Sequence, residues 1–216
     1  IQSDLNEWLV PRFGDDLEMR YDIDSIPAMA EQRTRVFESV TQGVQNGILT
    51  RNECFLNIAG DDAMAHISGA CVGDGDFHHD DTVFVTHDAV GSESRQVFKK
   101  VLRNGATGVF QGKILVKPDA QKTDGYQISQ SLLLDEDSQF LAKPELEIYA
   151  DDVACSHGST SGAIDEDALF YLTSRGISKP VAIDILTMAF LAEAVDEIDN
   201  DNLKDVILEL LSGWLG

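Results

Sequence analysis

Cys155-Ser156-His157 sets a thiol and an imidazole two residues apart, near the end of the run KPELEIYADDVACSHGSTSG, Lys143 to Gly162. Read as an extended segment, the run presents positions 155 and 157 on one face, because successive strand side chains alternate. A thiol beside an imidazole suits iron, zinc or an iron–sulfur species, and a cationic imidazole would favour the thiolate. Two ligands are half a site. On spacing alone the plainer reading is a buried cysteine next to a turn-capping histidine. Glu145, Glu147 and Asp151 share the same parity if no bulge intervenes. They could add a carboxylate row beside the pair, or form only a solvated outer face.

Other candidates are weaker. His78-His79-Asp80-Asp81, with His87 downstream, holds metal-ligand types, but neighbouring strand residues diverge, so the cluster reads as a solvated polar loop. Lys122-Thr123-Asp124-Gly125 reads as a tight corner closed by a salt bridge. The chain has no GxxxxGK[ST] loop, GxSxG elbow or HExxH helix, so Walker-type nucleotide binding and those hydrolytic sites find no support in the sequence.

The elements that must position these residues are mostly short strands. Apolar-alternating segments recur at 63–67, 82–86, 107–116, 126–134 and 146–153, separated by Asn46-Gly47, Gly60-Asp61, Gly73-Asp74-Gly75, Asn104-Gly105 and Asp124-Gly125. This is a mainly β pattern, compatible with a sandwich or a solenoid, and the lack of a clean repeat weakens the solenoid. Before it, Leu5, Trp8 and Leu9 make a short helical stripe broken by Pro11 and Gly14. After Gly162 the period changes to helical. Asp165-Glu166-Asp167 opens a helix carrying Leu169, Phe170 and Leu172 and ending near Gly176. Ser178 and Pro180 start a second, striped by Val181, Ile185, Met188, Ala189, Ala192 and Val195. A third spans 203–215, with Val206, Ile207, Leu210, Leu211 and Trp214 on one side. The expected organisation is therefore 1–30 partly helical, 31–163 the β core and 164–216 a helical subdomain.

With 38 acidic against 16 basic residues and a formal charge of −22, the chain would repel nucleic acid and anionic membranes. Cys54, Cys71 and Cys155 are odd in number and scattered, which argues against a disulfide framework and fits a reducing cytoplasm. No apolar run approaches the roughly 18 residues of a membrane span. The first residue is Ile rather than Met, and the chain reads as a fragment of a longer protein.

The Lys143–Gly162 run resembles a signature of the SufB/SufD family of iron–sulfur cluster assembly proteins. Four further blocks follow the family's order: Ser94 to Lys99, Gly105 to Lys113, Asp119 to Gly125, and Asp165 to Gly176. The resemblance covers roughly residues 31 to 195. SufB-like sequences carry a Cys-containing segment where this chain has ELEIYADDVACSHG, so the likeness is to the other branch. It implies a right-handed parallel β-helix core followed by a helical subdomain. It also implies a scaffold rather than an enzyme, pairing with a SufB-like subunit and with SufC, the ABC-type ATPase, or with a second copy of itself in isolation. His157 and Cys155 would then face a transient iron or iron–sulfur cluster shared with the SufB-like partner, and no nucleotide would bind this chain. Phe170, Tyr171 and Arg175 would form the SufC-binding region, aromatic and Arg side chains being common interface anchors. Two rivals compete with this picture. One is a β-helix enzyme acting on polysaccharide through the carboxylate row, the other an ATPase-recruiting module without metal chemistry.

Overall fold

The computed structural model describes residues 16–26, 35–40, 49–196, 198 and 201–215. Among these residues, ten strands alternate between two parallel sheets, β1-β3-β5-β7-β9 and β10-β8-β6-β4-β2. The strands are β1 Asp16–Ile26, β2 Arg35–Val40, β3 Leu49–Ile58, β4 Met64–Asp74, β5 His78–His87, β6 Glu93–Arg103, β7 Thr107–Val116, β8 Asp124–Leu133, β9 Gln139–Ile148 and β10 Ala154–Gly162. Each coil contributes one strand to each sheet, and like strands stack in parallel register. This is the expected parallel β-helix.

The repeat is structural and nearly constant. Leu49, His78, Thr107 and Gln139 stack at steps of 29, 29 and 32 residues. Met64, Glu93, Asp124 and Ala154 do so at 29, 31 and 30. The sequence hides it because the equivalent inward positions are not chemically alike. Ile67, Gln96, Gln127 and His157 make one column, and Ala65, Ser94, Gly125 and Cys155 its neighbour.

Corners fix the register. Asn104 and Gly105 both take the left-handed backbone, φ 58° and 86°, as an Asn-Gly turn requires. Asp135 then accepts from the backbone N–H of Asn104, Asp137 and Ser138, locking the next corner above it. The Lys122 corner is real but has a different cause from the expected one. Lys122 itself takes φ 61°, and Thr123 Oγ1 donates to the Ala120 carbonyl at 2.9 Å. Among the described residues Lys122 makes no ion pair. Asp124-Gly125 opens β8 rather than forming a turn.

β1 pairs with β3 along almost its whole length, so the β1-to-β9 sheet continues into residues 16–26, inside the segment expected to precede the core. The stripe at Leu5, Trp8 and Leu9 lies outside the described residues.

Among the described residues three helices follow: α1 Glu166–Ser174, α2 Lys179–Ala192 and α3 Asp201–Leu215. Asp165 caps α1, its carboxylate accepting from Asp167 N at 2.9 Å and Ala168 N at 3.0 Å. Ser178 stands at the N-cap of α2 without a side-chain bond, and Pro180 occupies the first turn. The helices cover the outer face of the β2-to-β10 sheet. Ala70, Val72, Val97, Val101 and Leu132 pack there against Leu191, Val195, Ile198, Ile207 and Leu211. Val181 and Ile185, expected on the packed side of α2, are exposed instead. None of the helices among the described residues is long and apolar enough to cross a membrane.

Candidate functional site

The Lys143–Gly162 run is two strands and a corner. β9 ends at Ile148 in one sheet, and β10 begins at Ala154 in the other. The corner between them rests on the corner beneath. Tyr149 N donates to Val116 O at 2.9 Å, Asp152 N to Gln121 Oε1 at 2.9 Å, and Ala154 N to Thr123 O at 2.9 Å. β10 is thereby seated on β8, with Cys155 over Gly125 and His157 over Gln127.

This break separates the carboxylate row from the Cys–His pair, correcting the shared parity expected above. Phe140 and Leu146 of β9 pack inward, so Glu145 and Glu147 lie on the outer face of their sheet. Glu147 is engaged by Lys113 Nζ and the Tyr149 hydroxyl, contacts that hold its carboxyl below the ordinary range, and Glu145 pairs with Lys143 at 2.9 Å. Asp151 sits in the exposed corner. No three of these groups converge, and among the described residues there is no His/Cys/Asp/Glu cluster able to hold a metal alone.

Cys155 and His157 do share the inward face of β10, about 7 Å apart along the strand. Cys155 is half-buried and packs with Ile114, Val116, Ala120 and Ala150. Gly125 makes space for it, since a methyl group there would lie 3.2 Å from Sγ. Burial raises the thiol above its ordinary 9.0, with the Gly125 backbone hydrogen bond opposing. Cys155 is thus a protonated thiol in this chain near neutral pH. His157 is exposed and, among the described residues, unpartnered.

Both are reachable because the stack is open at this end. β9 and β10 are the last strands of their sheets among the described residues, and the inward positions Ala142, His157, Ser159 and Ser161 are exposed. Ser159 and Ser161 each bond the serine below, Ser129 at 3.2 Å and Ser131 at 2.9 Å. The end of the coil is therefore a polar surface carrying one soft ligand, one borderline ligand and bare strand edges. A thiol and an imidazole fit iron or an iron–sulfur species, and they leave the remaining coordination positions to be filled from outside.

The His78–Asp81 segment is not a loop. It is the first part of β5, and His79, Asp80 and Asp81 are buried. Lys100 Nζ lies 2.8 Å from Asp81 Oδ2 and 3.0 Å from His79 Nδ1, and Asn52 Nδ2 donates to Asp81 Oδ1 at 2.8 Å. These groups are met from β6 across the coil and from β3 one coil away, 19 to 29 positions distant in sequence, so local pattern could not reveal the pairing. Burial lowers His79 to about 4. His87, held between Ser92 Oγ at 2.7 Å and Ser94 Oγ at 2.8 Å, is also lowered to about 4 by burial. Burial raises Cys54 to about 11 and Cys71 to about 12, leaving both as unreactive thiols.

A second surface lies on α1 and α2. Phe170 is 73% exposed and Tyr171 55%, with the Arg175 guanidinium 4.1 Å above the Tyr171 ring. Val181 and Ile185 extend the exposed apolar positions onto α2.

Comparison with known proteins agrees with this architecture. Residues 18–190 match the family described as SUF system FeS cluster assembly, SufBD core domain. The iron–sulfur cluster assembly protein SufD of Escherichia coli is 33% identical over 180 residues, covering 83% of this chain and 42% of that protein. SufD of Bacillus subtilis is 30% identical over 169 residues, 78% of this chain and 39% of its own length. A Synechocystis protein of the iron–sulfur cluster assembly SufBD family is 37% identical over 119 residues, 55% of this chain and 26% of its own. The chain thus spans about two-fifths or less of each of these relatives. By its stacked coils, its C-terminal helices and a match across most of its length, this chain belongs to the SufBD core-domain family of the SUF iron–sulfur cluster assembly system.

Proposed function

We propose that this chain acts as a SufD-like scaffold that supplies one half of an intermolecular iron–sulfur assembly site. The observation that carries this reading is the inward-facing pair Cys155 and His157 on the last strand of an open-ended coil. One imidazole cannot hold a cluster, so the other ligands come from a SufB-like subunit docked over that end. The exposed edges of β9 and β10 offer such a partner unpaired backbone groups. His157 ligates the nascent cluster. Cys155, a neutral thiol until metal displaces its proton, is an auxiliary ligand.

Phe170, Tyr171 and Arg175 dock the SufC ATPase, and nucleotide hydrolysis belongs to that partner. This chain then transmits SufC movement to the shared interface and performs no turnover of its own. Three free cysteines suit work in the reducing cytoplasm.

The test is anaerobic reconstitution of the complete complex carrying His157→Ala. Folding and subunit composition should be retained while cluster yield falls to background. Normal yield would refute the assignment.

A further inference from the structure

Directly beneath His157 lies Gln127. The two are register partners on adjacent strands, so their backbones stand about 4.8 Å apart with both side chains on the inward face. Gln127 is fully buried, yet neither its Oε1 nor its Nε2 has a hydrogen-bond partner. Gln96, next in the same column on β6, is equally buried and equally unpartnered. A buried polar group without a partner destabilises the fold, and an apolar side chain of similar size would avoid that loss. The opposite sheet also makes room for the carboxamide. A methyl group on Gly112 would overlap the Gln127 amide and crowd the Phe110 ring. The orphaned carboxamide thus sits one coil below an imidazole that is itself unpartnered among the described residues.

We infer that Gln127 is a positioning residue for His157, its carboxamide, unpartnered in the structure, turning to hydrogen-bond one ring nitrogen so that the other faces out of the coil. An amide suits this place. It can donate to, or accept from, an imidazole, and it carries no charge to desolvate. Fixing the tautomer of a metal-binding histidine through its second nitrogen is how outer groups tune such ligands. The inference rests on the proposed role of His157 for its metal consequence, but not for the tautomer itself.

The experiment uses the full chain, ¹⁵N-labelled, in the metal-free state and then titrated anaerobically with Fe(II) alone. Gln127→Met keeps length and volume and removes the hydrogen bond; Gly112→Ala displaces the carboxamide without changing it. In the parent, the ring ¹⁵N shifts of His157 should report one dominant tautomer. Both variants should shift toward the solvent-like mixture, with Fe(II) affinity reduced roughly 10–100-fold. The Tm of Gln127→Met should be unchanged or higher, which a purely structural role would not combine with a tautomer change. An identical tautomer ratio in parent and both variants overturns the inference. If His157→Ala binds Fe(II) as well as the parent does, the metal reading of the site falls, while a tautomer shift in Gln127→Met still supports positioning.

Discussion

At the scale of single residues, the interior of this coil is more polar than a packed core usually is, and most of its polar groups are matched. Lys100, Asp81, His79 and Asn52 form one buried network, and His87 with Ser92 and Ser94 another. Burial keeps both histidines neutral, each lowered from 6.5 to about 4. The unfolded chain therefore binds more protons than the folded one between those values. Stability from these groups is complete above pH 6.5 and is lost as pH falls toward about 4. Unfolding in urea at stepped pH should show the midpoint declining across that window, with uptake approaching two protons per molecule. Replacing His87 with Gln should remove about one of them. A flat midpoint from pH 7 to 4.5 would contradict this account of the buried imidazoles.

At the scale of elements, legibility followed the chemistry of the inward positions. β7 was readable over its full length because Val109, Gln111, Lys113 and Leu115 alternate with Phe110, Ile114 and Val116, a contrast that marks a two-sided strand. α1 was readable from its cap and terminal glycine. Only the 82–86 half of β5 is readable; 78–81 reads as a loop because its inward side chains at 79 and 81 are ionisable, and their partners arrive from β6 across the coil and from β3. β10 was legible only as an extended run with one shared Cys–His face. Nothing in it marks the corner at 149–153 that removes Glu145 and Glu147 from that face. The helices meet the sheet at a charged point as well as an apolar one. Lys99, almost wholly buried, bonds Glu193 at 2.5 Å and lies 4.4 Å from the centre of the Phe190 ring. Glu193 is largely exposed, so solvent screens the pair and its contribution is modest, about 1 kcal/mol. Glu193→Gln should accordingly speed amide exchange across Lys179–Ala192 a few-fold and leave β5 and β7 unchanged. Uniform acceleration through the coil would show that the helices and sheet open as one unit.

At the scale of the whole molecule, the described residues leave two surfaces uncovered: the end bearing Cys155 and His157, and the aromatic and aliphatic face of α1 and α2. They are separate in composition. One is polar with free strand edges, while the other is apolar with an arginine stacked on tyrosine. Two different partners are the simplest use of them. Phe170→Ala with Arg175→Ala should weaken capture of SufC by at least 30-fold, the scale of losing an interface anchor of about 2 kcal/mol. The same pair should leave binding to the SufB-like subunit unaltered. Loss of both partners together would show that the surfaces are not independent.

The central claim is that His157 binds the cluster across that open end, and nuclear labelling reads this bond without relying on yield. This chain, labelled with ¹⁵N-histidine, would be assembled anaerobically with unlabelled SufB-like and SufC subunits, and its reduced cluster studied by pulsed electron paramagnetic resonance. The account predicts a strong hyperfine coupling to one imidazole nitrogen that disappears in the His157→Ala complex while His66, His78, His79 and His87 remain labelled. A cluster that forms with no such coupling, or with one that survives His157→Ala, would contradict it.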